Sequence, residues 1–332
     1  MLVTPADNDP NDIAASYICD QYIDCDNMSD EYSCSASLPI AFICYGIITS
    51  VLIVLAFFTG VLVVVFGWVR VMKRIKAASP VFLLSIVLAC IVGYGSTFTF
   101  YGKPDTTACV FRMWLLAPAI TLMVSSLCVK SLRIWLIFRS NKPTAWIIPD
   151  WWLVVLVVVL ELPVAIILIL WSALATPYAQ VLNISGKDHW ICRSGSVGGY
   201  ALGIVFFALL VAYIGLILLF GVFLAIVTRK LPSRFNESQL IGMSVYNLTF
   251  LSAVVIPLYF VLETISPLAR WIVVVSGILY GFAATMFLQF APRFWGVARD
   301  KCNPKLEQKR DREKSTSEFS GSSSNTISLQ SI

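Results

Sequence analysis

Seven long runs of apolar residues, nearly free of charge, constrain this chain more than any other feature of its sequence. A helix needs roughly 20 apolar residues to cross the hydrocarbon core of a bilayer. Seven runs reach that length, at residues 39–67, 80–101, 109–138, 151–175, 200–227, 239–262 and 267–291. They lack the alternation of a membrane β-barrel. Because helices satisfy their own backbone hydrogen bonds in lipid, the sequence predicts an all-α membrane protein, a seven-transmembrane helix bundle.

The composition agrees with a bilayer as the solvent for most of the chain. Only 13% of the 332 residues are charged, whereas a soluble domain carries about 25%. The basic residues lie in short segments between apolar runs, so the net charge of +5 gives no case for nucleic-acid binding. His189 is the only histidine, and no nucleophile–base pair is apparent. We therefore expect neither an enzyme nor a required cofactor.

The basic residues are concentrated on one side of the predicted bundle. Seventeen of the 24 Lys and Arg residues follow the first, third, fifth or seventh span, and five lie on the other side. Cytoplasmic loops carry such an excess, so the sequence predicts a multi-pass protein of the plasma membrane with its N-terminus outside and its C-terminus in the cytoplasm. The first span then acts as the signal anchor, unless the chain is a truncated form of a longer protein.

Two cysteines fall on the predicted outer face. Cys109 begins the third span, and Cys192 lies in the loop between the fourth and fifth spans. In an oxidising compartment a disulfide between them is favoured over two free thiols, and it would hold the outer loop over the mouth of the bundle. Asn183 in the same loop and Asn27 near the N-terminus each begin an Asn-X-Ser glycosylation signal on this side.

Residues 1–38 form an acidic segment that we expect outside the cell. Residues 19–34 of this segment, from Cys19 to Cys34, resemble the C-terminal half of an LDL-receptor class A module. The resemblance implies a Cys19–Cys34 disulfide and Ca²⁺ bound by the side chains of Asp20, Asp24, Asp30 and Glu31. Only three of the module's six cysteines are present, which leaves Cys25 without its partner. The segment is therefore truncated, a degenerate half-module, or an acidic disordered tail.

Motifs at the ends of the spans carry a second resemblance. The third span begins Cys109-Val-Phe-Arg112-Met-Trp114 and ends Lys130-Ser-Leu-Arg133, the sixth begins Asn236-Glu-Ser-Gln, and the seventh closes Phe290-Ala-Pro292-Arg293. Together they resemble the transmembrane domain of class C G-protein-coupled receptors, most like the metabotropic GABA-B receptors, over residues 39–298. The chain from Lys314 onward is rich in Ser, Thr, Gly and Asn, and we expect residues 299–332 to form a disordered cytoplasmic tail.

This resemblance implies a receptor that passes an extracellular signal to a heterotrimeric G protein, as a monomer or as a homo- or heterodimer. The ligand stays unknown, because 38 residues cannot hold the bilobed ligand-binding domain of class C receptors. A Lys130–Glu237 pair would act as an ionic lock on the resting state, unless Lys130 extends to lipid headgroups. The G-protein-facing surface, which could equally contact anionic lipid, comprises Arg70, Lys73, Arg74, Arg133, Lys142, Arg229, Lys230 and Arg234.

Other seven-helix proteins fit the sequence less well. Residues 267–291 contain no lysine for a retinal Schiff base, which argues against an opsin-like photoreceptor. A transporter usually has more intramembrane acid than Glu161 in the fourth span, although it stays an alternative. A non-signalling subunit that supports another receptor is the second alternative. Glu161 itself has either a structural role or a role in a cavity.

Overall fold

The computed structural model describes residues 2–3, 13–14, 37–69, 80–101, 104–139, 150–184, 187–194, 199–229, 236–262 and 267–302. The chain divides into two compact units, Met1–Gln289 and Phe290–Ile332. All the contacts between helices given below lie within the first unit. In the second unit, the rings of Phe290 and Phe294 stack with their centroids 6.2 Å apart.

Seven helices of the described residues are long and apolar enough to cross a membrane, which confirms the predicted architecture. They are α1 (Ser37–Val64), α2 (Pro80–Thr97), α3 (Thr106–Arg139), α4 (Asp150–Leu174), α5 (Gly199–Thr228), α6 (Asn236–Leu262) and α7 (Pro267–Cys302). A π-helical turn, Val65–Val69, continues α1, and a 3₁₀ turn, Phe98–Phe100, continues α2. α7 runs eleven residues beyond the predicted boundary at 291, because a helix can continue where apolar character ends.

The central helix of the bundle is α3, which contacts α2, α4, α5 and α6. Its interior side carries small and polar residues, including Ser125, Ser126 and Cys128, all buried. Small residues allow close approach of helices in a membrane, where van der Waals packing replaces the hydrophobic effect. Gly221 of α5 shows this: a Cβ there would lie 2.8 Å from Cys128 Sγ and 3.2 Å from Val245 Cγ1.

Large apolar side chains cover the outside of the bundle. Phe58 of α1, Phe220 of α5, Phe250 of α6 and Phe287 of α7 are each about half exposed or more. On a soluble protein such contiguous apolar surface would mark a binding site or an aggregation hazard. On seven spanning helices it is the surface that faces lipid, so the apolar exposure agrees with the predicted bilayer environment.

A β-hairpin, which the sequence analysis did not predict, occupies the connection between α4 and α5. Its strands are β3 (Pro177–Ile184) and β4 (Lys187–Ser194), paired antiparallel with Ala179 opposite Cys192 and Asn183 opposite Asp188. β-branched and aromatic residues such as Val181, Trp190 and Ile191 favour strands, but apolar and polar residues do not alternate regularly along either strand. The first two strands, β1 (Leu2–Val3) and β2 (Ile13–Ala14), pair antiparallel near the N-terminus.

Candidate functional site

The disulfide between Cys109 and Cys192, which the sequence predicted, is present. It joins the first turns of α3 to β4, with an S–S length of 2.03 Å and Cα atoms 5.6 Å apart. The hairpin is also attached to α4, because Trp171 Nε1 donates a hydrogen bond to Ser194 Oγ at the end of β4 over 3.1 Å. We call the end of the bundle that carries the hairpin the hairpin end.

Arg112 lies one turn after Cys109 and therefore on the same face of α3. Its Nε donates to Thr99 O over 2.7 Å, and its Nη1 donates to Cys192 Sγ over 3.3 Å. Its guanidinium carbon lies 4.9 Å from the centre of the Phe100 ring, within the range of a cation–π interaction. One side chain thus contacts the end of α2 and the disulfide of the hairpin.

In the middle of the bundle, polar contacts join α4 to both of its neighbours. Ser125 Oγ of α3 donates to Glu161 Oε1 at 3.5 Å, a long hydrogen bond. Tyr213 OH of α5 donates to Leu160 O over 2.8 Å. Pro163 removes the helical donor to the carbonyl of residue 159, so the α5 hydroxyl supports α4 where its own hydrogen bonding is weakened. Glu161 therefore lies at a contact between α3 and α4, and the choice between a structural role and a role in a cavity stays a prediction.

We call the opposite end of the bundle the basic end. Two residues of α3 that were predicted to function there are described together with their side chains. Lys130 is only 6% exposed, and Arg133 is partly buried. Glu237 lies in the first turn of α6, but its side chain is outside the described residues, so the Lys130–Glu237 pair stays a prediction. Seven residues after Glu237 on α6, Ser244 Oγ accepts a hydrogen bond from Gln289 Nε2 of α7 over 3.0 Å, and both residues are fully buried.

The predicted G-protein-facing residues are described only in part. Arg229 follows α5 and is exposed. The others, apart from Arg133, lie outside the described residues: Arg70, Lys73, Arg74, Lys142, Lys230 and Arg234. The surface they were predicted to form stays a prediction.

The predicted calcium and glycosylation sites are likewise largely outside the described residues. This holds for Cys19, Cys34, Asn27 and the four carboxylates Asp20, Asp24, Asp30 and Glu31. Among the described residues, no group of three or more His, Cys, Asp or Glu side chains could hold a metal. That finding does not reach residues 19–34. The backbone of Asn183 lies in β3, one residue from the strand's end.

Several of the residues that organise the bundle were missed by sequence reasoning. Arg112 was noticed only as part of a motif, although a charge one turn from a cysteine at a span's end is a usable signal. Trp271, Tyr213 and Gln289 were not singled out. Their partners are largely backbone carbonyls or a serine, and no pattern of residue types marks such pairs.

The geometry is that of a seven-transmembrane protein, with a disulfide-anchored hairpin at one end of the bundle and a buried lysine toward the other. Residues 38–293 match the family described as "7 transmembrane sweet-taste receptor of 3 GCPR". The chain therefore belongs to the class C G-protein-coupled receptor family, whose members are receptors rather than enzymes, and it is a multi-pass protein of the plasma membrane.

Curated relatives from Dictyostelium discoideum agree with this assignment. The chain is 31% identical to metabotropic glutamate receptor-like protein E over 255 residues, which are 76% of the chain and 30% of that relative. It is 31% identical to metabotropic glutamate receptor-like protein J over 278 residues, 79% of the chain and 34% of the relative. The chain thus spans about a third of the length of these relatives.

Proposed function

We propose that this chain is a receptor that couples an extracellular signal to a heterotrimeric G protein, with the hairpin end outside the cell. The observation that carries the proposal is the family match over residues 38–293, which takes in nearly all of the seven apolar spans. The charge distribution supports the orientation, because seventeen of the 24 basic residues follow the odd-numbered spans. The motifs at the basic end support a GABA-B-like form of coupling.

Within this function, Lys130 and Glu237 form a lock that holds the basic ends of α3 and α6 together in the resting state. Burial favours a paired charge, since an isolated ammonium in the bilayer is costly. Glu237 lies in the first turn of α6, where a carboxylate is also favoured by the helix dipole. Arg133 and Arg229, with the basic residues of the neighbouring connections, would frame the G-protein surface.

The function is tested by measuring G-protein activation in cells that express this chain alone, with a panel of Gα sensors. Basal activation above that of mock-transfected cells, at confirmed surface expression, supports a signalling receptor. A chain that reaches the surface and activates no Gα sensor contradicts the proposal and favours a non-signalling subunit. Rescue of activation by a co-expressed receptor would then identify a heterodimer.

The lock is tested with Glu237→Ala, which should raise basal activation at matched surface expression. The charge swap Lys130→Glu with Glu237→Lys should return it toward the wild-type value. Gln239→Ala is the matched control, because Gln239 lies two residues further along α6 and is exposed. Equal basal activation in wild type, Glu237→Ala and Gln239→Ala would rule the lock out.

We further propose that residues 19–34 bind Ca²⁺ through Asp20, Asp24, Asp30 and Glu31. Closely spaced carboxylates repel one another unless a hard cation joins them. Calcium titration of the purified chain, monitored by calorimetry, should show binding that is lost when Asp30 and Glu31 are both changed to Ala. Binding of the same affinity in that double variant would contradict the proposed ligand set.

A further inference from the structure

The end of α2 offers backbone carbonyls that the helix itself leaves without donors, as every helix C-terminus does. The turn Phe98–Phe100 closes α2, and the chain becomes extended at Tyr101. The Tyr101 amide uses one carbonyl by donating to Phe98 O over 3.3 Å. The next two carbonyls, of Thr99 and Phe100, each accept a hydrogen bond from a side chain of a different helix.

The donor to Thr99 O comes from the side of the hairpin. Arg112 Nε of α3 makes this hydrogen bond at 2.7 Å, while its Nη1 reaches Cys192 Sγ at 3.3 Å. The planar guanidinium has donors in fixed directions, so both contacts can be made at once. A displacement of Cys192 therefore acts on the side chain that holds the end of α2.

The donor to Phe100 O comes from the side of α1 and α7. Trp271 Nε1 makes this hydrogen bond at 2.9 Å. The Trp271 ring meets Phe42 and Tyr45 of α1 edge-on, at centroid distances of 4.5 and 5.4 Å. Tyr45 OH also lies 2.6 Å from Ser276 Oγ of α7. The position of the Phe100 carbonyl is thus coupled to the packing of α1 against α7.

We propose that Arg112 and Trp271, bound to the adjacent carbonyls of Thr99 and Phe100, form a relay that carries displacement of the disulfide-anchored hairpin to α7 and α1. Arg112 is a positioning residue in this relay, since it acts through the end of α2. The proposal deepens the receptor function, on which it rests for its biological meaning. Its structural content, coupling between β4 and the start of α7, can be measured without a G protein.

The coupling is tested by hydrogen–deuterium exchange on the purified full chain. Arg112→Gln should speed exchange in residues 268–276 by about fivefold or more, the lower range of typical allosteric couplings. Thermodynamic coupling is reciprocal, so Trp271→Phe, which removes the indole N–H and keeps an aromatic ring, should speed exchange in residues 187–194. Arg112→Lys keeps the charge without the fork of donors, and it should restore protection only in part.

The matched control is Phe111→Leu, because Phe111 neighbours Arg112 on α3 and is 52% exposed. This variant should leave exchange in both segments within twofold of the wild type. The relay is refuted if Arg112→Gln changes exchange only in residues 98–101 and 187–194, or if Trp271→Phe leaves residues 187–194 unchanged. If Arg112→Gln does not fold, Trp271→Phe alone decides the question.

A signalling measurement separates this proposal from the proposed function. If wild type activates a G protein and the relay exists, Arg112→Gln and Trp271→Phe should shift basal activation in the same direction, and Phe111→Leu should not. Exchange coupling without any G-protein activation contradicts the receptor function and leaves the relay intact. Activation with no exchange coupling contradicts the relay and leaves the receptor function intact.

Discussion

The packing of α2 against α7 gives a sharp prediction, because Gly93 lies directly against the ring of Phe282. A Cβ at Gly93 would be 2.7 Å from Phe282 Cε1 and closer still to Cε2 and Cζ. Ordinary carbon–carbon contacts are about 3.5–4.0 Å. Gly93→Ala therefore requires the ring or the helices to move by roughly 1 Å.

The ring has little freedom to make that movement. Phe282 is 2% exposed, and Tyr94 packs against it edge-on with a centroid distance of 6.0 Å. Overpacking costs about 1–3 kcal/mol, and replacing a helical glycine by alanine returns about 0.5–1 kcal/mol. A net loss of about 0.5–2 kcal/mol, at about 2–4 °C per kcal/mol for domains of this order of size, lowers the melting temperature by about 1–8 °C.

The assay is thermal unfolding of the purified receptor with a thiol-reactive dye, since Cys90 and Cys128 are buried free thiols that unfolding exposes. Gly95→Ala on the same helix is the control, because a Cβ at Gly95 would meet nothing within 4 Å. Phe282→Leu should recover most of the loss in the Gly93→Ala background. A Gly93→Ala melting temperature at or above wild type, or an equal fall for Gly95→Ala, would refute the packing argument.

Three further predictions use contacts at different levels of the bundle. Tyr213→Phe removes the hydrogen bond to α4 and should lower the free energy of unfolding by about 0.6–1.7 kcal/mol, the range for hydrogen bonds between membrane helices. Its melting temperature should therefore be lower than that of the control Tyr246→Phe, whose side chain is exposed. Cys192→Ser should lower the melting temperature, read by tryptophan fluorescence, by several degrees, and dithiothreitol should lower the melting temperature of wild type more than that of the variant, which has no Cys109–Cys192 disulfide to lose. Asn183→Gln should remove one glycan and so increase electrophoretic mobility. Asn236 also begins an Asn-X-Ser sequence, but it lies at the basic end, so Asn236→Gln should leave the mobility unchanged.

The seven helices could be predicted from sequence because the bilayer imposes a length and a polarity on each span. The predicted boundaries agree with the helices to within a few residues at most ends. The exception is the end of α7, at Cys302 rather than 291, because apolar character marks the membrane boundary and not the end of hydrogen bonding. The hairpin was missed because apolar and polar residues do not alternate regularly along its two strands.

The disulfide could be predicted for a different reason. Apart from the three cysteines of the N-terminal segment, Cys109 and Cys192 are the cysteines predicted at the outer face, so few pairings remain once the topology is set. The contacts of Arg112 and Trp271 could not be predicted in this way, because their acceptors are the backbone oxygens of Thr99 and Phe100. A backbone acceptor exists at every position, so no pair of residue types in the sequence points to it.

The availability of backbone carbonyls also explains where the contacts of Arg112, Trp271 and Tyr213 form. A membrane helix leaves carbonyls without helical donors at its end and near a proline, and one side chain each of α3, α5 and α7 donates at such a place. Arg112 and Trp271 use the end of α2, and Tyr213 uses the carbonyl beside the gap left by Pro163. Substituting an acceptor residue leaves its carbonyl in place, so only changes at the donor side chains should weaken these contacts. For these three contacts, substitution of the donor residue should therefore weaken the coupling between helices, whereas substitution of the acceptor residue should not.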